Sequence, residues 1–233
     1  MKCSLIYTTE DILKTFKSKS RPDQLLGMAR YGISTDKRFG IAIPCLRKLA
    51  KGIGKNHQLA LELWKTGYAE AKILAAMIDE VDKVTEEQME DWVKDIDSWD
   101  ICDQTCMNLF EKTPFVIEKI HDWSVREEEF VKRAAYALIA CLAWHDKEVS
   151  DQKFIDLFPI IKQGATDDRN YVKKAINWAI RNIGKRNLNL NKEAIKLSKK
   201  IQKIDSKPAR WIASNALKEL ESEKVQERLR KRN

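Results

Sequence analysis

An all-α fold, built as a curved solenoid of antiparallel helix pairs, is what this sequence predicts. Apolar residues recur at spacings of three and four almost throughout, and no alternating β-branched run reads as a strand. Gly, Pro and capping residues interrupt that pattern at intervals of about ten to twenty residues. From Thr85 onward the resulting helices fall into couples that repeat roughly every 35 to 45 residues.

The breaks, in order, are Ser20-Arg21-Pro22, Gly40 to Pro44, Gly52-Ile53-Gly54, Gly67, Thr85, Ser98, Thr113-Pro114, Asp146 to Ser150, Gly164 to Asp168, Gly184 to Asn191 and Asp205 to Pro208. Proline stands at first-turn positions, and Thr85 with Gln88 makes a capping-box pattern. The couples are Thr85–Ile96 with Ser98–Lys112, Pro114–Trp123 with Arg126–His145, Ser150–Gln163 with Asp168–Ile183, and Asn191–Ile204 with Lys207–Glu221. Their period is that of HEAT or armadillo arrays, in which each pair needs its neighbours to bury a face. The chain therefore reads as one HEAT-like repeat domain over 1–233, with a short basic tail from about 224 to 233. The second helix of each couple carries the residues richest in chemistry, and in a solenoid these converge on one concave, basic surface. An irregular helical bundle is the alternative.

Hydrophobic residues make up 43% and charged residues 33% of 233 residues, an ordinary globular composition with room for one or two domains. Met1 to Ile6 gives way at once to Thr8-Thr9-Glu10-Asp11, with no apolar leader, and no later run is long enough to span a bilayer. Five cysteines without a C-x-x-C pair fit a reducing cytoplasm rather than a disulfide framework. The net charge of +8 is uneven: from Arg169 onward there are 19 Lys/Arg against 6 Asp/Glu, so the preceding residues carry a net −5. Such clustering is the footprint of phosphate binding, although the tail Arg228-Leu229-Arg230-Lys231-Arg232 alone reads equally well as a solvated terminus.

The segment Tyr171 to Lys185 is the most pointed. Val172, Ile176, Ala179, Ile180 and Ile183 form one apolar stripe, and Trp178 lies about 140° from its centre, in a row with Lys174, Arg181 and Lys185. A core face does not choose three cations and a solvated face rarely chooses Trp; a nucleic acid uses both. On Ser98–Lys112, Ile101, Cys102, Cys106 and Leu109 set the core side, while Trp99, Asp103 and Phe110 form a row at its margin. Asp100 reads as a first-turn acid favoured by the helix dipole; Asp103 reads either as a partly exposed extension of that acid or, the favoured reading, as a functional carboxylate. Arg133 sits among apolar and small residues, on one side with Ala137, Ala140 and Trp144, so its guanidinium needs a carboxylate or a phosphate. His57, His121 and His145 are dispersed, and no cluster has metal-ligand spacing. Gly52-Ile53-Gly54-Lys55 is a helix end rather than a phosphate loop.

These residues, in this order, resemble the DNA alkylation repair family of HEAT-repeat DNA glycosylases, the AlkD type. The resemblance covers most of the chain. It rests on Met28-Ala29-Arg30-Tyr31 with Pro44-Cys45-Leu46-Arg47-Lys48-Leu49, on Trp99-Asp100-Ile101-Cys102-Asp103, on Lys132-Arg133-Ala134-Ala135, and on Val172 to Arg181. It implies hydrolysis of the N-glycosidic bond of N3- and N7-alkylated purines in double-stranded DNA, by a monomer without metal or organic cofactor. It makes Trp99 and Asp103 the catalytic Trp and Asp, Trp178 a second aromatic, and Arg133 a backbone-contacting Arg. An alkylated purine is already a cationic leaving group, so what needs stabilising is the oxocarbenium-like sugar. Asp103 supplies the negative charge, the two tryptophans stack on the cation, and Arg133, Lys174, Arg181 and Lys185 hold phosphates. A nucleoid-associated cytoplasmic protein is the corresponding location. One position departs from the family pattern: Ser98, an N-cap by its type, stands where the family can place a further aromatic. The runner-up is a HEAT module that binds DNA, including branched forms, or scaffolds proteins without excising bases.

Overall fold

The structure, a computed structural model, describes residues 7–231, and their regular structure is helical. Cys3, the Met1 to Ile6 segment and Arg232 of the basic tail lie outside the described residues. The contacts divide the chain into two compact units, one on each side of the Pro114–Phe115 junction.

The first unit contains α1 (Thr9–Ser18), α2 (Pro22–Arg30), α3 (Ile43–Ile53), α4 (His57–Lys65), α5 (Ala69–Ile78), α6 (Glu86–Lys94) and α7 (Trp99–Asn108), with 3-10 turns at Val81–Lys83 and Phe110–Lys112. Local sequence explains where the helices begin. Thr8 and Asp11 cap α1 reciprocally, Pro22 and Pro44 open α2 and α3, and the Asn56 side chain accepts the N–H of Leu59 at the start of α4. At Thr85 the expected box is only half made. Thr85 accepts the Gln88 N–H, but the Gln88 side-chain amide donates to Asp79 Oδ2 at 2.6 Å. Asp79 is fully buried, and a desolvated carboxylate gains more from that donor than an exposed helix end does. The helix α3 ends at Ile53, and Gly54 takes φ +80 beyond it, so Gly52 to Lys55 is the helix end expected.

Almost every residue of α5 is buried, because it packs on α3, α4 and α7 at once. Stacking of Trp64 on Trp92, with ring centroids 3.9 Å apart, joins α4 to α6. Through this stack α4 lies beside α6, while α5 packs on α7. From α5 the buried Glu70 accepts the N–H groups of Phe39, Gly40 and Ile41 at 2.7–3.1 Å, which fixes the loop carrying Arg38.

The second unit contains α8 (Val116–Ser124), α9 (Glu129–His145), α10 (Asp151–Asp156), α11 (Phe158–Gly164), α12 (Asn170–Gly184), α13 (Leu188–Gln202), α14 (Lys207–Leu220) and α15 (Glu223–Arg230). Pairing follows the expected couples, α8 with α9 and α13 with α14, while α12 packs on α9, α13 and α14, so that α9, α12 and α14 lie side by side as the second layer. Their apolar stripes are buried as the period demands: Val172, Ile176, Ala179, Ile180 and Ile183 are all fully covered. Gly184 lets α12 close on α14, since a Cβ there would come within 2.7 Å of Leu220 Cδ2.

Two details differ from the sequence expectation. The single helix expected over Ser150–Gln163 is two, α10 and α11, because Pro159 in the first turn of α11 has no N–H to continue the ladder. The segment read as a basic tail contains α15, anchored by Val225 and Leu229, one turn apart and buried.

Candidate functional site

In the first unit the candidate residues sit at the start of α7. Ser98 stands at the N-cap with extended backbone, but its hydroxyl does not cap the helix. It donates to Asp100 Oδ1 at 2.7 Å and accepts the N–H of Ser34 at 3.4 Å. Asp100 also receives both terminal nitrogens of Arg38, at 2.7 and 3.1 Å, and the Arg38 Nε donates to the Ser34 carbonyl. With side-chain exposures of 3% for Arg38 and 14% for Asp100, this is a buried structural pair. Dipole stabilisation alone, the sequence reading of Asp100, understates it.

One turn on from Trp99, Asp103 is half-exposed, as is Trp99 itself. The Trp99 indole N–H donates to the Tyr31 carbonyl at 3.1 Å, so the ring edge is tethered to the end of α2. Tyr31 is 76% exposed. Phe110 does not join this row. The α-helix stops at Asn108 and a 3-10 turn follows, which shifts the phase and carries Phe110 fully into the core. Ile101, Cys102, Cys106 and Leu109 are buried as expected.

In the second unit the candidates lie on α9 and α12. Arg133 is buried, with 5% of its surface exposed, and its Nη1 donates to the Tyr171 carbonyl at 2.6 Å. It therefore ties α9 to the start of α12. Lys174 is exposed and Trp178 half-exposed, so the face opposite the apolar stripe does reach solvent. Arg181 and Lys185, the other row-mates of Trp178, close on a residue the sequence did not single out. Arg181 Nη1 and Lys185 Nζ donate to the two oxygens of Glu219 on α14, at 2.6 and 2.7 Å. Burial pushes the Glu219 carboxyl upward, but the hydrogen bonds from Lys185 and Arg181 outweigh it and hold the group below its ordinary value.

Beside this clasp is a groove of about 680 Å³ lined by Trp144, Lys147, Trp178, Lys185, Arg186 and Arg228, among others, with no carboxylate in its lining. Trp144 is 54% exposed and stacks on His145, with ring centroids 4.8 Å apart. Arg186 fixes the floor: its Nη1 donates to the carbonyls of Ala143 and Asp146, its Nη2 to that of Val149, and its guanidinium lies 4.6 Å from the Phe154 ring. Those carbonyls belong to the end of α9 and the turn beyond it, where a cation is favoured. Trp144 was visible in the sequence only as the end of an apolar helix. Arg186 and Lys147 had no periodic signal, and Arg228 was hidden in the basic tail. Among the described residues no three His, Cys, Asp or Glu side chains gather to hold a metal ion, and no helix is long and apolar enough to cross a membrane.

The model of the DNA alkylation repair enzyme family matches residues 12–220, most of each unit. The chain belongs to the DNA alkylation repair enzyme family. A solved structure described as a new family of proteins related to the HEAT-like repeat DNA glycosylases, with affinity for branched DNA structures, superposes with a TM-score of 0.79. It is 19% identical and covers 96% of each chain, so what it shows for this family member is the HEAT-like repeat fold. A designed armadillo repeat protein in complex with a (KR)4 peptide reaches a TM-score of only 0.36, at 18% identity over 80% of this chain and 79% of that one. No protein of curated function matches.

Proposed function

We propose that this chain is a DNA repair glycosylase that hydrolyses the N-glycosidic bond of cationic N3- and N7-alkylated purines in duplex DNA. The observation that carries the reading is the placement of Trp99 and Asp103 one turn apart at the start of α7, both partly exposed. The other carboxylate of α7, Asp100, is bound on both oxygens by Arg38 and serves the fold.

The chemistry asks little else of the protein. The alkylated base leaves as a neutral molecule, taking the electron pair of the glycosidic bond, so no general acid is required. Positive charge then develops on the deoxyribose, where Asp103 stabilises it until water adds to the sugar carbon and passes its proton to the Asp103 carboxylate, which returns it to solvent. Trp99 offers an indole face to the cationic nucleotide, and Trp178, on α12, is a second aromatic for the DNA. Lys174, Arg181 and Lys185 take phosphates, with Glu219 as the carboxylate that a phosphate must displace. Arg133, 5% exposed, adds a fixed positive charge while holding α9 to α12.

The test is incubation of duplex DNA containing N7-methylguanine with the full chain and a search for free base. Release of N7-methylguanine is expected. A second reading is DNA binding without excision, with which the affinity of the 19%-identical relative for branched DNA accords. Firm duplex binding with no base released decides for that reading.

A further inference from the structure

The groove of the second unit has no part in the chemistry above beyond Trp178 and Lys185, yet its composition is specific. Two tryptophans and four cations line it without a carboxylate. A Trp as exposed as Trp144, at 54%, sacrifices apolar burial on a face that folding does not require. His145 covers one side of its indole, and Arg186 locks the backbone beneath it through the carbonyls of Ala143 and Asp146. The platform is therefore rigid. At about 680 Å³ the groove is of the size that takes a small organic ligand.

An intact duplex presents phosphates to a protein, but its base faces are occupied by stacking. A flat aromatic platform flanked by cations is complementary to a nucleotide that has left the stack, whose base offers a free face and whose flanking phosphates offer charge. An acidic peptide would use the cations but has no aromatic face for Trp144. Lys147 and the exposed Arg228 of α15 stand on the rim for those phosphates.

We infer that this groove binds an unpaired nucleotide of a DNA strand, with its base stacked on Trp144. The inference rests on the DNA reading of the preceding section and adds to it a site separate from Asp103 and Trp99. It gives the protein a preference for duplexes that carry a gap or a single-stranded segment over continuous ones.

The experiment compares the affinity of the full chain for an intact duplex and for a duplex of the same sequence with a short single-stranded gap, using wild type, Trp144→Ala, Trp144→Phe and Lys147→Ala, with thermal melts as a check on folding. The gapped duplex binds more tightly to wild type. Trp144→Ala weakens gapped binding by about 5- to 100-fold, the range that loss of one base–aromatic stack gives, and changes intact-duplex binding by less than about twofold, while Trp144→Phe keeps most of the preference. Equal affinity for both duplexes, equal losses on both, or equally effective displacement by poly-glutamate overturns the inference and leaves the DNA reading standing. Failure to bind either duplex overturns both.

Discussion

The two carboxylates of α7 show how differently neighbouring residues of one type are used. Asp100 is committed to Arg38 and Ser98 and is nearly buried, so removing its charge leaves a desolvated guanidinium without a counter-ion. Breaking a buried pair in this way costs on the order of 3–5 kcal/mol. Asp100→Asn is accordingly expected to lower the melting temperature strongly. A melting temperature equal to that of the wild type would contradict this structural role. The type and spacing of Trp99 and Asp103 were legible in the sequence, as was the exposure of Trp178 from its helical phase. The Arg38–Asp100 pair was not, since it joins residues 62 positions apart and leaves no periodic trace. Phe110 was misplaced for a local reason, the change from α to 3-10 geometry after Asn108.

At the scale of the element, α12 is the helix whose two faces do different work. Its stripe is sealed against α9, α13 and α14, and its opposite face carries Trp178 with Lys174, Arg181 and Lys185. Glu219 holds two of those cations. Glu219→Gln is therefore expected to strengthen duplex binding several-fold and to steepen its salt dependence by about one to two units of slope, as freed cations meet phosphates. Its cost in stability stays below about 1 kcal/mol, because the clasp is partly solvated. Weaker binding by Glu219→Gln would show that the clasp organises the face rather than competing for it. The pH dependence has a definite sign. A carboxyl held below its ordinary value stabilises the fold above that value, and the contribution is lost as pH falls through the folded-state value. The clasp thus stays closed at neutral and mildly acidic pH and opens only at or below the ordinary carboxylate range. Helix limits were readable because Gly, Pro and capping residues act locally. The division of α10 from α11 escaped because no break was placed at Pro159, and the Glu219 clasp escaped because it spans two helices.

For the molecule as a whole, the family, the helical repeat and the basic last third agree with one another. The excess of 19 Lys/Arg over 6 Asp/Glu from Arg169 onward lies in the unit that holds the groove, while the proposed catalytic carboxylate lies in the other. Charge for holding a polyanion and charge for stabilising a cationic sugar are opposite in sign, and the chain keeps them on separate helices. Long-range features such as the groove were the least legible, for they depend on Arg186 and α15 meeting the end of α9 in space. The central claim is that Asp103 supplies catalysis rather than binding or stability. It is tested most directly by the single-turnover rate of N7-methylguanine release from duplex DNA, at saturating protein, for wild type and Asp103→Asn. A fall on the order of 100-fold or more in rate, with duplex affinity and melting temperature nearly unchanged, is the predicted result; release at the wild-type rate by Asp103→Asn would contradict it.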